Sequence, residues 1–210
     1  MTSPAPRWVV VIPVKSNARA KSRLRHQQRA ELAIAMAIDT IGAVTASPLV
    51  DEVLVVTKDP AVAAAVTHTL GSVVPDNGGG DLNACLVSVI AEALSTASVA
   101  VFVADLPSAR TRQVTELLSA ASSHPFAVVA DRAGVGTTVL LAAAPQALRP
   151  AFGTGSFARH RALGAADLSD RAGPGLRLDV DTIDDLRLAV ASGVGPATAT
   201  IIGDGSSLRP

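Results

Sequence analysis

The sequence contains no tyrosine, one tryptophan and four phenylalanines, so aromatic residues make up only 2% of its 210 positions. Sequence-tolerant binding of single-stranded nucleic acid leans on aromatic faces for base stacking, and that material is missing. Neither sign of charge is in excess, because eighteen Lys and Arg balance eighteen Asp and Glu. A neutral chain has no long-range field to collect nucleic acid or an anionic membrane surface. No nucleic-acid partner is therefore expected, and any anion site must be local. The single cysteine, Cys85, cannot form an internal disulfide. No window approaches the run of roughly 18 apolar residues that a membrane span needs, and "MTSPAPRW" lacks the apolar stretch of a signal peptide. The expectation is a soluble cytoplasmic protein without a membrane partner.

What is present is a large supply of Ala, Val and Leu within a chain that is 49% hydrophobic, enough to complete the core of one domain. The runs Trp8–Val14, Val53–Thr57, Val99–Ala104, Phe126–Ala130 and Thr138–Leu141 are short, β-branched and continuous rather than alternating. That pattern predicts strands covered on both faces. Helical periodicity separates them, as in Gln28–Thr45, where Ile34, Ile38 and Ile41 share a face, and in Leu82–Leu94. Alternation of strand and helix predicts an α/β/α sandwich with a mixed, mainly parallel sheet. From Gly193 the tail reads as an appended strand, with a frayed end from about residue 203.

Ligands of open parallel sheets sit at the carboxyl ends of the strands, so the residues that follow each strand carry the functional expectations. The first strand is followed by "VKSNARAKSRL", which holds Lys15, Arg19, Lys21 and Arg23. This loop has no glycine and so cannot wrap phosphate in backbone amides as a Walker loop does. Its cations either neutralise phosphate by their side chains or form a solvated face. Asp105 follows a later strand in "ADLPSA", and Asp179 and Asp181 end the run "LRLDVDT". On a strand the last two would face the same side, and three carboxylates at one sheet edge suit a hard cation such as Mg²⁺. The plainer readings are helix caps: Asp105 for a helix starting near Ser108 to Thr111, and Asp181 for Ile183–Ala191.

"FGTGSFARHR" resembles a small-anion seat, with Gly153 and Gly155 permitting close backbone approach and Ser156 opening a helix. Arg159 and Arg161 add charge nearby. An ordinary glycine turn with a Ser cap is the alternative. "PDNGGGDLNACL" offers a glycine loop and Asn83 at a helix entry, where a nucleobase edge could be met. It does not match the dinucleotide fingerprint. His26, His68, His124 and His160 show no metal-ligand spacing, and His160 reads as structural or solvent-facing. Cys85 reads as a small core residue.

In order along the chain, "VIPVKSNARAKSRL", "DNGGGDLNACL", "ADLPSAR", "GVGTTVLL", "FGTGSFARHR" and "LRLDVDTIDDL" resemble the guanylyltransferases that make the activated phospho-acid precursor of the deazaflavin coenzyme F-420. The motifs span roughly Val9 to Leu186. The resemblance implies a Rossmann-like, single-domain nucleotidyltransferase fold, similar to enzymes that activate sugars and molybdopterin. The Ala- and Val-rich, tyrosine-free chain looks most like the actinobacterial branch, which is understood to use phosphoenolpyruvate, whereas archaeal relatives are associated with 2-phospho-L-lactate. It thus implies GTP and phosphoenolpyruvate as substrates and Mg²⁺ as cofactor; the alternatives are 2-phospho-L-lactate or 3-phosphoglycerate as the acid, or a non-catalytic nucleotide-binding module. Carried over motif by motif, Thr138, Gly153 and Ser156 would hold the acid, and Asp105 with Asp179 or Asp181 the metal. Lys15, Lys21 and Arg23 would meet the triphosphate as the catalytic cations. Pro13, Lys15, Asp76, Gly79 and Asn83 would contact the nucleotide. The chain departs from the family pattern at Asp81, which stands between the glycines and Leu82. Coupling to the downstream transferase that accepts the product is also implied, and a homodimer is left open.

Overall fold

The computed structural model describes residues 7–14, 29–66, 71–93 and 97–203; the loop holding Lys15, Lys21 and Arg23 lies outside them. In chain order the elements are β1 (Trp8–Pro13), α1 (Arg29–Thr45), β2 (Val50–Thr57), α2 (Pro60–Val66), β3 (Ser72–Pro75), α3 (Leu82–Ala93) and β4 (Ser98–Phe102). They continue as α4 (Thr111–Ala121), β5 (Phe126–Ala130), β6 (Thr137–Ala142), α5 (Ser156–Ala162), β7 (Ala166–Asp167), α6 (Ile183–Ser192) and α7 (Pro196–Ile202). Short 3-10 turns occur at Pro145–Ala147 and Pro174–Leu176.

The described strands form one seven-stranded sheet in the order β3-β2-β1-β4-β6-β5-β7. β1 pairs in parallel with β2 and β4, β2 with β3, and β5 with β7. Only β6 runs antiparallel to its neighbours β4 and β5. The expected mixed, mainly parallel sheet is thus present. Continuous apolar runs become strands here because both faces are covered. Val10 and Ile12 pack with Ile41 of α1 and Leu117 of α4 on one face, while Val9 and Val11 pack with Leu86 and Val89 of α3 on the other. Burying each such side chain contributes roughly 1.5–3 kcal/mol. A third cluster joins Leu32 and Met36 of α1 to Leu178, Val180, Leu186 and Ile202.

Two expectations are corrected. The tail after Gly193 is a helix, α7, not an appended strand. Its β-branched "TATII" favours a strand locally, but the Asp39 carboxylate of α1 accepts the N–H groups of Ala197 (3.0 Å) and Thr198 (2.8 Å), caps the first turn and fixes it as a helix. Residues 178–182 belong to no strand; the segment lies against the Asp105 loop instead. The edge strands β3 and β7 are too short to be announced by an apolar run. No helix among the described residues is long and apolar enough to cross a membrane.

Candidate active site

Because β1, β2 and β4 are parallel, their carboxyl ends share one edge of the sheet, and antiparallel β6 begins at that edge, as the pairing of Phe102 with Val139 shows. Asp105 follows β4 there. The Val180 N–H donates to the Asp105 carbonyl at 3.0 Å, so the two residues flanking Val180, Asp179 and Asp181, are carried to the same place. Asp105 is not a helix cap, since α4 begins at Thr111 behind Arg110. Nor is Asp181 the cap of α6: Thr182 is, accepting from the Asp185 N–H (3.2 Å), while the Asp185 carboxylate accepts the Thr182 N–H (3.0 Å). This reciprocal box leaves Asp181 at the carboxylate group.

The charges in that group act on one another. Burial first, then the neighbouring charges of Asp105 and Asp181, push the Asp179 carboxyl up to about 7. Like charges that cannot all ionise comfortably are relieved by a cation. Among the described residues no three His, Cys, Asp or Glu side chains form a ready-made metal cage.

Thr40, a helix residue with no sequence signal of function, secures the Asp105 loop. Its buried hydroxyl accepts the Leu106 N–H at 3.0 Å and lies 3.3 Å from the Ala104 carbonyl. On the other side, Gly175 sits where a Cβ would come within 2.1 Å of the Ser108 carbonyl oxygen, so only glycine lets the 3-10 turn pack so closely.

Thr138 is the second residue of β6, and its carbonyl accepts the Val103 N–H at 3.0 Å. Its hydroxyl is buried without a hydrogen-bond partner among the described residues, an arrangement that ordinarily costs free energy. The preceding loop is tied by Asp131, whose carboxylate accepts the N–H groups of Val135 (2.9 Å) and Gly136 (2.7 Å). Gly153 has φ 118°, and Ser156 is the first, buried residue of α5 rather than its cap, the cap being Gly155 at φ 71°. Arg159 folds back over this loop, with Nε and Nη2 donating to the Ala151 carbonyl (3.1 and 2.9 Å) and Nη1 to that of Thr154.

Among the residues expected to meet the nucleotide, Pro13 ends β1 in register with Val56. Asp76 follows β3 and accepts the Gly78 N–H at 3.1 Å. Lys58, which sequence reasoning missed, follows β2 and lies 3.6 Å from the Asp76 carboxylate; burial would raise Asp76, but the Cys85 thiol, the Gly78 N–H and then Lys58 together hold it below the usual carboxylate range. Gly79 takes φ 61° in the loop. Asp81 is the N-cap of α3, its carboxylate accepting the N–H groups of Asn83 (2.8 Å) and Ala84 (3.3 Å). Asn83 turns both atoms of its carboxamide to Phe152: Oδ1 accepts the Phe152 N–H at 2.7 Å and Nδ2 donates to its carbonyl at 3.2 Å. Cys85 is buried in the core as expected.

A family model described as "Guanylyl transferase CofC like" matches residues 8–196. The chain belongs to this family. The family match runs from β1 to the start of α7 and so takes in every group described above. A protein of Streptomyces coelicolor named phosphoenolpyruvate guanylyltransferase is 45% identical over 201 residues, covering 92% of this chain and 95% of its own length. One of Geodermatophilus obscurus with the same name is 45% identical over 205 residues, covering 93% and 94%. Among solved structures, a chain of Desulfovibrio desulfuricans described as a nucleotide-diphospho-sugar transferase superposes with a TM-score of 0.72 over 97% of both chains, at 13% identity. Family and fold agree: the chain is a nucleotidyltransferase of the guanylyltransferase type.

Proposed function

We propose that the chain joins GTP to phosphoenolpyruvate, giving enolpyruvoyl-2-diphospho-5′-guanosine and pyrophosphate in coenzyme F-420 biosynthesis. The observation that carries this reading is the Val180 to Asp105 bond, which collects three carboxylates where the strands end. The shared name of relatives 45% identical over nearly the whole chain supports the choice of acid.

The acid's phosphate is already an anionic nucleophile near neutral pH, so the reaction needs neither a nucleophilic side chain nor a strong base. An oxygen of that phosphate attacks the α-phosphorus of GTP in line, the bond to the β-phosphate breaks, and pyrophosphate leaves with the electron pair. The chain's task is to align two polyanions and offset their repulsion. Lys15, Lys21 and Arg23 supply cations to the triphosphate, Pro13, Asp76, Gly79 and Asn83 line the nucleotide side, and Thr138, Gly153 and Ser156 receive the acid. Asp105 with Asp179 or Asp181 would hold Mg²⁺, which when bound supplies charge neutralisation and orientation of phosphate oxygens. The product is a labile anhydride of an enol acid, which favours coupling to the transferase that consumes it.

The test is Mg²⁺-dependent pyrophosphate release from GTP with phosphoenolpyruvate, 2-phospho-L-lactate or 3-phosphoglycerate supplied separately, and the downstream transferase with its deazaflavin acceptor added to trap product. Release with phosphoenolpyruvate is expected. Release with another acid alone, or silence with all three from folded protein that binds GTP, overturns the assignment.

A further inference from the structure

Two consecutive residues ahead of Gly153 have every backbone polar group bonded by a side chain. The Ala151 N–H donates to His160 Nε2 at 2.9 Å, and the Ala151 carbonyl accepts from Arg159. Both backbone groups of Phe152 are taken by the Asn83 carboxamide. The bonds come from two helices, α3 and α5, that converge on a loop with no regular structure of its own. The wholly buried His160 ring also meets the Phe152 ring edge to face, with centroids 5.2 Å apart and planes at 73°.

The state of the His160 ring follows from these contacts. A backbone amide only donates, so Nε2 must be bare. Burial, then the positive charge of Arg159, press the ring's pKa down to about 4, so the ring is neutral near pH 7. Its one proton therefore sits on Nδ1, and the 2.9 Å bond to Thr137 Oγ1 has His160 as donor. The Ala151 N–H thus fixes the tautomer, and Thr137 of β6 accepts the remaining proton and holds the ring in place.

We propose that His160 is a positioning residue for the second substrate: by fixing the Ala151 N–H, together with Asn83 on Phe152, it sets the backbone from Gly153 to Ser156 that receives the phospho-acid. This rests on the reading of that loop as the acid's seat. A peptide free to rotate at Ala151 would swing the Gly153 backbone away from the acid while leaving the carboxylates at β4 in place. The consequence is selective, weakening use of the acid and sparing GTP.

Two measurements test it. Long-range ¹H–¹⁵N correlation of the imidazoles in the labelled full chain at pH 7 is expected to show His160 protonated at Nδ1 alone; a bare Nδ1 or an imidazolium overturns the proposal. In pyrophosphate-release kinetics, His160→Phe keeps ring volume but loses the acceptor. It is expected to raise the KM for phosphoenolpyruvate about tenfold or more, the worth of one hydrogen bond, with the KM for GTP within about twofold. His160→Gln, which can place a carboxamide oxygen near Nε2, is expected to recover most of the loss. An unchanged KM for the acid, or equal rises for both substrates, overturns it. Should His160→Phe fail to fold, Thr137→Val removes only the hydroxyl that accepts the Nδ1 proton and orients the ring. A selective rise in the acid's KM then supports the proposal, and no rise overturns it. A wild type silent with every phospho-acid overturns the seat reading and the proposal with it, which is distinct from an active wild type whose variants keep their KM.

Discussion

The Val180 N–H donates to the Asp105 carbonyl at 3.0 Å, and through that one bond two stretches far apart in the chain share a carboxylate group. The bond is made by backbone, so it does not depend on the charge of any of the three Asp side chains. The group is held together whether or not its charges are balanced.

Asp105→Asn preserves shape and leaves the backbone bond in place. It is expected to lower Mg²⁺-dependent turnover by at least about 100-fold, the scale on which removal of one transition-state electrostatic partner is felt, with little change in the thermal melt. Activity close to wild type would remove Asp105 from the metal site.

Asp179 titrates at about 7 in the folded chain, raised by burial and by Asp105 and Asp181, against 3.8 unfolded. A carboxyl raised in this way is favourable to the fold while protonated, so its contribution is complete below the unfolded value and is lost as pH rises through about 7. Without divalent cation, stability should fall over this window. Mg²⁺ should restore more of it at pH 8 than at pH 5. Asp179→Asn should be more stable than wild type at pH 8; loss of its response to Mg²⁺ would assign the metal to Asp179, and a retained response would assign it to Asp181. Melting curves at both pH values, with and without Mg²⁺, decide the matter.

Thr40→Val removes the acceptor of the buried Leu106 N–H. The expected loss is about 1–3 kcal/mol of stability. Turnover should fall with it because Asp105 is displaced, while the KM for GTP stays near wild type. Urea unfolding beside steady-state kinetics measures both, and unaltered turnover in a destabilised variant would limit Thr40 to the fold.

Asp39→Ala leaves the first N–H groups of α7 without their acceptor. A cap of this kind is worth about 0.5–2 kcal/mol, so the denaturation midpoint should drop. A midpoint equal to wild type would show the cap to contribute nothing.

Much of this molecule was legible in its sequence. Continuous β-branched runs became strands because each is covered on both faces, and helical periodicity became α1 and α3 because a 3.6-residue repeat builds one buried face. The residue types that follow the strands were equally legible, since an α/β sheet always opens at its carboxyl ends; Asp105 and Thr138 lie there. The decisions that escaped local pattern were made by partners distant in the chain. "TATII" became a helix because Asp39 caps it, and Asp181 was spared a capping role because Thr182 and Asp185 bond each other. Asn83 found Phe152, and His160 acquired its tautomer from the Ala151 N–H. Periodicity and composition by themselves determined which segments fold and which chemical groups are on hand. Only the tertiary structure decided which of those groups meet, because hydrogen bonds and like-charge coupling act through a few ångströms of space that sequence separation does not measure.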